Sequence, residues 1–272
     1  MERIAIITGA TGGIGQKFIE KISEQEDIDK IWAVGRNRDK LNAMADRYDK
    51  VIPIESDLTK DGIVQIAEKL RGEKPVVRIL VNNAGMAYMG MFEKMETDRV
   101  GEICNINCSV PAILISEVLN YMTPGSRIIN ISSASAFQPN PYLAMYSAGK
   151  IFLKNLSRAL NRELKPRGIT VTAVCPGWVD TGMLPREKEG RKIRYFGMIS
   201  PDKVVTKALK DSAKGKDMSA PGFFAKYFRV YSKIMPEKLV MKQWMIAMRD
   251  ADSGLRRASL YELIFLLMGW YL

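Results

Sequence analysis

The fold is decided by a stretch near the start of the chain that reads IAIITGATGGIG (residues 4–15). Ile4–Ile7 form a short apolar run, which predicts a strand buried on both faces. Gly9, Gly13 and Gly15 let the backbone turn tightly and approach a pyrophosphate, and the following helix presents free amide groups to that anion. Such loops also serve as plain turns, but the position between a strand and a helix favours a dinucleotide-binding loop.

Outward from this stretch, short apolar runs alternate with longer segments of helical periodicity. The predicted strands are Ile4–Thr8, Ile31–Gly35, Val51–Glu55, Ile79–Asn83, Arg127–Ser132 and Thr170–Cys175. The predicted helices include Gly13–Gln25, Ala112–Tyr121 and Tyr146–Lys165. This alternation is typical of right-handed βαβ units. We therefore expect an α/β fold built on a doubly wound parallel sheet of about seven strands.

The pattern changes toward the C-terminus, beyond Gly215. Ser200-Pro201-Asp202 predicts a capped helix that runs to about Ala213. Phe223–Trp244 is rich in aromatic, Met and basic residues, and Pro236 divides it into two short helices. We expect residues 1–222 to form the main domain and residues 223–272 to be a helical extension of that domain. The apolar end, Ser259–Leu272, fits native packing, a membrane contact or residues foreign to the natural protein.

Composition excludes several kinds of chemistry. The chain has no histidine, which removes Ser-His-Asp catalysis and His-ligated metal centres. Its three cysteines, Cys104, Cys108 and Cys175, are expected to be reduced packing thiols, so we predict no metal. With no apolar run of eighteen residues and no signal peptide before the first strand, we expect a cytoplasmic protein.

The net charge of +11 is unevenly distributed. From Arg186 onward, eighteen Lys and Arg stand against nine Asp and Glu. A basic segment can meet nucleic acid, anionic lipid or an acidic substrate, but scattered charges more often form a solvated surface. No recognised nucleic-acid module accompanies them, so we expect no nucleic-acid partner.

The end of the second predicted strand bears on the choice of cofactor. Folds that bind NAD place an acidic residue there, on the ribose 2′-hydroxyl. This chain has Gly35-Arg36-Asn37-Arg38 instead, and Arg36 can form charge-assisted hydrogen bonds to the 2′-phosphate of NADP. A surface arginine at a helix start is the alternative. We predict NADP(H) as the cofactor.

Acid–base chemistry is predicted for Tyr146 and Lys150. They are four residues apart on one helix and share a face. A neighbouring ammonium favours the phenolate, so we expect Lys150 to lower the tyrosine pKa. Ser133 lies thirteen residues upstream at the end of a strand, which brings it to the same sheet edge. The three together predict a proton-transfer site.

With these elements the chain resembles the short-chain dehydrogenase/reductase family, from Arg3 to about Ala213. The resemblance rests on Thr8–Gly15, on Ser56-Asp57-Leu58, on Asn82-Asn83-Ala84-Gly85, on Ser133 with Tyr146 and Lys150, and on Pro176–Thr181. It implies a Rossmann-type fold and an enzyme that transfers a hydride between nicotinamide and a carbonyl or secondary alcohol.

The resemblance also implies roles for individual residues. Tyr146 would exchange the proton, Ser133 would hold the substrate oxygen, Lys150 would bind the nicotinamide ribose, and Asn107 would position a water for proton relay. Asn105 is an alternative to Asn107. The implied cofactor-binding residues are Gly9, Thr11, Gly12, Gly13, Ile14, Gly15, Arg36, Asp57, Leu58, Asn83, Ala84, Gly85, Tyr146, Lys150, Pro176, Gly177, Val179 and Thr181.

The leading functional hypothesis is an NADP(H)-dependent oxidoreductase that acts on a bulky apolar ketone or secondary alcohol, such as a steroid-like or bile-acid-like compound or a fatty-acyl ketone. The alternatives are a 3-oxoacyl-thioester reductase and a non-catalytic NADP-binding or membrane-associated module. We expect a homodimer or homotetramer, as the family commonly forms, through helices near Ala112–Tyr121 and Ser147–Lys165.

The segment from Phe223 is predicted to close over the substrate site, assisted by Met183, Leu184, Tyr195, Phe196 and Met198. Membrane contact is possible but not favoured, because the aromatic residues fall around much of the predicted helix.

Overall fold

The structure, a computed structural model, describes residues 1–253 apart from residues 183, 185, 186, 189, 190, 193, 194 and 196. Within these residues one parallel sheet has seven strands: β1 (Arg3–Thr8), β2 (Lys30–Gly35), β3 (Val51–Glu55), β4 (Val76–Asn82), β5 (Arg127–Ile131), β6 (Thr170–Val174) and β9 (Met218–Ser219). A separate two-stranded hairpin of β7 (Glu187–Lys188) and β8 (Arg191–Lys192) lies between β6 and β9 in the chain. The order across the sheet is β3-β2-β1-β4-β5-β6-β9. The predicted doubly wound α/β fold is confirmed.

Helices cover both faces of the sheet. They are α1 (Gly13–Ser23), α2 (Arg38–Arg47), α3 (Gly62–Glu73), α4 (Thr97–Cys104), α5 (Val110–Val118), α6 (Ala144–Glu163), α7 (Pro201–Ala213), α8 (Phe223–Ile234) and α9 (Glu237–Ser253). Side chains of α1, α2 and α7 share one core cluster with Ala5 and Ile7 of β1. Side chains of α3 and α5 share the other cluster with Ile4 and Ile6. Since successive residues of a strand face opposite sides, burial on both faces explains the unbroken apolar runs.

The sequence located six of the seven strands to within about three residues. The largest difference is in β4, which begins at Val76 rather than at Ile79, because Arg78 interrupts the apolar run. The strand without a sequence signal is β9, which has two residues and pairs with β6 through Met218 and Ser219. Its partner strand, rather than its own composition, determines its conformation.

The predicted helix ends are confirmed where capping chemistry marks them. The hydroxyl of Ser200 accepts a hydrogen bond from the Lys203 amide at 3.3 Å, and Pro201 begins α7. Met235 and Pro236 separate α8 from α9. Residues 254–272, including the apolar segment Ser259–Leu272, lie outside the described residues.

The helical segment Thr97–Tyr121 contains α4, a π-helical turn at Asn105–Ser109 and α5. Among the described residues it is the one helix long and apolar enough to cross a bilayer, with a mean hydropathy of 1.3. Leu114, Ile115 and Val118 of this segment are buried against the sheet, as in a core helix of a globular protein.

Gly15 fixes how closely α1 approaches the first strand. A Cβ at this position would lie 2.3 Å from the carbonyl oxygen of Gly9, which is a backbone atom that cannot move aside. We expect Gly15→Ala to lower the free energy of unfolding by about 1–3 kcal/mol, measured by thermal or urea unfolding. Gly72→Ala is the matched control, because nothing lies within 4 Å of a Cβ there. That change should leave stability equal or raise it by up to about 1 kcal/mol. Equal effects of the two substitutions would contradict the close-packing role of Gly15.

Candidate active site

A cleft of about 1790 Å³ runs along the carboxyl edge of the sheet. Its floor is formed by the residues that follow β1, β2, β4, β5 and β6, and its outer wall by α8 and α9. The sheet order reverses between β1 and β4, and in open α/β folds ligands bind at such a point. The fold therefore brings the separate sequence motifs to one place.

A hydrogen-bond network fastens the glycine loop to the segment after β4. The Thr8 hydroxyl accepts from the backbone amides of Asn83 and Ala84, each at 3.0 Å. The Asn83 side chain donates to the carbonyl oxygens of Thr8 and Gly9 at 3.1 and 3.0 Å. Asn83 was predicted to bind the cofactor. It lines the cleft, but its amide group is used to hold the loop in shape.

One end of the cleft carries a cation and an anion side by side. Arg36 is exposed at the end of β2, immediately before Asn37, which caps α2 by accepting from the Lys40 amide at 2.9 Å. The Asp57 carboxylate accepts from the amide and hydroxyl of Thr59 at 3.0 and 2.7 Å. These bonds lower the pKa of Asp57, and the charge of Arg36 contributes in the same direction. Arg38 instead points to Glu55, 3.7 Å away.

Ser133 and Tyr146 lie close together at the other end of the cleft. Ser133 follows β5 and caps a short helical turn, where its hydroxyl accepts from the Ser135 amide at 3.2 Å. Tyr146 lies in the first turn of α6. Burial raises the pKa of the Tyr146 phenol, and hydrogen bonding with the Ser133 hydroxyl opposes that shift. The sequence-based expectation of a lowered tyrosine pKa is therefore wrong for the protein without ligands.

Lys150, the expected cause of a lowered tyrosine pKa, is itself buried. Its side chain is 4 % exposed, and its ammonium donates to the Ile131 carbonyl at 2.8 Å. The nitrogen lies 5.5 Å from the centre of the Tyr146 ring. Removal from water lowers the pKa of Lys150 to about 8. The same loss of solvent thus disfavours the charged forms of both groups, and burial is the largest cause of each shift.

The π-helical turn aims Asn107 at this site and Asn105 away from it. Asn107 is 1 % exposed, and its side chain donates to the Met86 carbonyl at 2.7 Å and accepts from the Met86 amide at 3.3 Å. A Cβ on Gly85 would lie 2.9 Å from Asn107 Oδ1 and 3.1 Å from Lys150 Nζ, so these groups converge there. Asn105 donates to the Thr59 carbonyl at 3.3 Å. Of the two asparagines, Asn107 is the one beside Lys150.

The cleft brings together the predicted site residues with two exceptions. Those that line it are Gly9, Thr11, Gly12, Gly13, Ile14, Arg36, Asp57, Leu58, Asn83, Ala84, Gly85, Ser133, Tyr146, Lys150, Pro176, Gly177, Val179 and Thr181. Gly15 is a packing residue under the loop, and Asn107 lies behind the cleft wall.

Aromatic residues of the C-terminal helices form the outer wall. Phe224, Tyr227, Phe228 and Tyr231 of α8 line the cleft, and neighbouring rings lie 5.7–6.2 Å apart. This is the face that the sequence predicted to cover the substrate site. Of its predicted helpers, Leu184 and Tyr195 also line the cleft, whereas Met198 does not. Met183 and Phe196 lie outside the described residues.

The sequence analysis missed the residues that join the outer wall of the cleft to the end that holds Ser133 and Tyr146. Trp244 of α9 donates its indole N–H to the Pro141 carbonyl at 2.8 Å and stacks on Trp178 at 6.4 Å. Tyr142 lines the cleft with a left-handed backbone, φ 66°, and its carbonyl accepts from the Gly90 amide at 2.9 Å. A tyrosine in that region is strained and was not detectable from the sequence. The tryptophan pair is separated by more than sixty positions, so no local pattern reveals it.

Two relatives resemble three quarters or more of the chain. Inactive hydroxysteroid dehydrogenase-like protein 1 of Homo sapiens is 32% identical over 95% of this chain and 78% of its own length. Very-long-chain 3-oxoacyl-CoA reductase of Bos taurus is 30% identical over 76% of this chain and 67% of its own length.

Solved structures have the same architecture. A short-chain dehydrogenase from Sphingobium yanoikuyae in complex with NADPH has a TM-score of 0.72 and 25% identity, over 95% of this chain and 98% of that one. The bulky-bulky ketone specific alcohol dehydrogenase from Comamonas testosteroni has a TM-score of 0.69 and 25% identity, over 94% and 95%. The family model of the short chain dehydrogenases matches residues 3–192. The chain belongs to the short-chain dehydrogenase family.

Proposed function

We propose that the protein is an active NADP(H)-dependent oxidoreductase that reduces a bulky apolar ketone or oxidises the corresponding secondary alcohol. The observation that carries this proposal is the cleft itself. Ser133, Tyr146 and Lys150 stand at one end of it, the glycine loop and Arg36 lie along its floor, and an aromatic wall faces them.

The residues present fit a bound NADP(H). The glycine loop leaves backbone free to approach a pyrophosphate, and Arg36 offers an exposed guanidinium to a 2′-phosphate. The structural relative from Sphingobium yanoikuyae binds NADPH, which supports the same choice here. When bound, the nicotinamide supplies or accepts the hydride.

The chain's own residues handle the substrate oxygen and its proton. In the reductive direction the Ser133 hydroxyl donates a hydrogen bond to the carbonyl oxygen, and the Tyr146 phenol gives that oxygen its proton. The Tyr146 phenol is protonated at neutral pH, which is the form a proton donor requires. Lys150 supports the nicotinamide ribose, and Asn107 is a positioning residue that holds the segment after β4.

The substrate class follows from the wall of α8. Rings at Phe224, Tyr227, Phe228 and Tyr231 offer a wide apolar surface opposite Ser133. The bulky-ketone specificity in the name of the Comamonas structure supports this choice. A 3-oxoacyl thioester is the second candidate, supported by the bovine reductase. The human relative is named inactive, so a non-catalytic NADP-binding role is the third, and the converging Ser133, Tyr146 and Lys150 weigh against it.

The proposal also covers the oligomeric state of the protein and its cellular compartment. Ile113 of α5 and Phe152 of α6 are more than two-fifths exposed, which supports a homodimer or homotetramer through these helices. Cys104, Cys108 and Cys175 are free, which suits the reducing cytoplasm.

Tyr146→Phe tests catalysis. We expect NADPH binding to persist and turnover to fall by about 10²–10⁴, because the general acid is lost. Activity is measured as NADPH oxidation over a panel of ketosteroids, acyl ketones and sugars, and binding by nucleotide fluorescence. Tyr142→Phe is the matched control, a phenol on the same cleft that should tolerate the change. Turnover near normal in Tyr146→Phe would show that another group is the acid.

Arg36→Asp tests the cofactor. Loss of a charge-assisted contact to the 2′-phosphate should cost about 1.5–3 kcal/mol and turn the preference from NADPH toward NADH. Arg38→Asp makes the same charge change two residues away, where the guanidinium already faces Glu55. It should alter the ratio of the two kcat/KM values much less. Equal use of both cofactors by the unchanged protein would overturn the NADP(H) assignment.

Phe228→Ala tests the aromatic wall. Removing one ring from an apolar site costs about 1.5–3 kcal/mol of contact, so KM for bulky ketones should rise at least about tenfold. KM for small ketones and for NADPH should change little. Val230→Ala, on the opposite face of α8, is the control. A similar loss for large and small ketones would mean that α8 is structural rather than part of the substrate site.

A further inference from the structure

Helix α8 has a second face that the cleft does not use. Phe223, Val230 and Ile234 are 68%, 56% and 73% exposed. Their spacing of seven and four residues places them in one stripe along the helix. The rings that line the cleft occupy the adjoining side of the helix, where Tyr227 stacks on Phe223 at 6.3 Å. The aromatic and aliphatic residues that surround α8 are thus divided between an inner face and an outer face.

Cations accompany the outer stripe. Lys226, Arg229 and Lys233, together with Val230 and Ile234, line a shallow groove of about 370 Å³. The sequence of α8, FFAKYFRVYSKI, contains no acidic residue. Lys154 and Arg158 of α6 lie near this face: burial lowers the pKa of Lys154, and the charges of Arg158 and Lys233 contribute in the same direction. The outer face therefore combines three large exposed apolar side chains with three cations.

This combination favours one kind of partner. An acidic protein would satisfy the charges but gains little from isolated apolar residues between them. A second copy in a two-fold arrangement would place three cations against three cations. The surface of an anionic bilayer satisfies both sets, since apolar side chains enter the acyl boundary while Lys and Arg reach the headgroups.

The sequence beyond the described residues has the same composition. Arg256 and Arg257 precede residues 260–272, which are apolar or aromatic except for Glu262 and Gly269. We propose that the outer face of α8 docks on anionic lipid bilayers with the helix parallel to the surface. The aromatic wall of the cleft then lies on the side of α8 away from the lipid. This proposal does not depend on the proposed reaction.

The test is co-sedimentation of the full-length chain with vesicles of phosphatidylcholine alone, or of phosphatidylcholine with one third phosphatidylglycerol, at low and high salt. We expect binding to the anionic vesicles that weakens with salt, and little binding to the neutral ones. Each cation removed should weaken binding about fivefold. The double change Lys226→Glu and Lys233→Glu should therefore abolish most of it.

Two further variants identify the surface. Val230→Ser with Ile234→Ser should reduce vesicle binding at least about tenfold without changing the charge. Lys210→Glu on α7 with Lys214→Glu directly after it makes the same charge reversal at two exposed residues, in a described segment that contains no exposed large apolar residue. It should weaken binding much less. Thermal unfolding and sedimentation velocity confirm that each variant stays folded in its original oligomeric state.

Several outcomes would overturn the proposal. They are no binding of the unchanged chain to anionic vesicles, equal binding to neutral vesicles, and equal losses in the α7 and α8 charge variants, which would indicate diffuse attraction. A change of oligomeric state in the Val230 and Ile234 variant would show that this face meets a second copy instead. NADPH binding, measured in parallel, reports separately on the cofactor site, so its failure would not affect this result.

Discussion

The arrangement of the cleft depends on the Thr8 hydroxyl, which joins the end of β1 to the end of β4 and to the segment after it. It accepts hydrogen bonds from the backbone amides of Asn83 and Ala84 and donates one to the Val81 carbonyl at 3.3 Å. The Asn83 side chain donates two hydrogen bonds to the Thr8 and Gly9 carbonyls. Thr8 is 1 % exposed, so an unpaired group there would cost about 1–3 kcal/mol. Because β1 and β4 are the strands between which the sheet order reverses, this network joins the two central segments of the cleft floor.

Removal from water is the second constraint, and it acts on two groups at once. Lys150 can lie inside the protein because the Ile131 carbonyl accepts from it, yet its pKa still falls to about 8. The Tyr146 phenol, one helical turn earlier, shifts in the opposite direction for the same reason. The same loss of solvent therefore disfavours the ammonium of Lys150 and the phenolate of Tyr146 alike.

The sequence predicted features that depend on neighbouring residues or on repeated spacing. The glycine loop, the Ser200 cap, the break at Pro236 and the Tyr146–Lys150 spacing are all of this type. It failed for features made by distant partners: β9 has only two residues and is a strand because β6 is beside it. The Asn83 side chain also bonds to a loop seventy-five positions away, a contact that no local pattern reveals. The direction of the tyrosine pKa shift also escaped, since spacing predicts proximity but not the extent of burial.

The sequence also could not show how the residues of α8 divide between the cleft and the exposed surface. In the sequence its aromatic residues fall around the helix, which argued against a membrane contact. In the structure the inner rings belong to the cleft, and the outer stripe of Phe223, Val230 and Ile234 is left with the cations. One helix therefore lines the cleft that contains Tyr146 and Lys150 on one side while presenting a basic, apolar surface on the other. Because burial is the largest cause of the pKa shift of both Tyr146 and Lys150, the elements that enclose their cleft bear on the charge state of both groups.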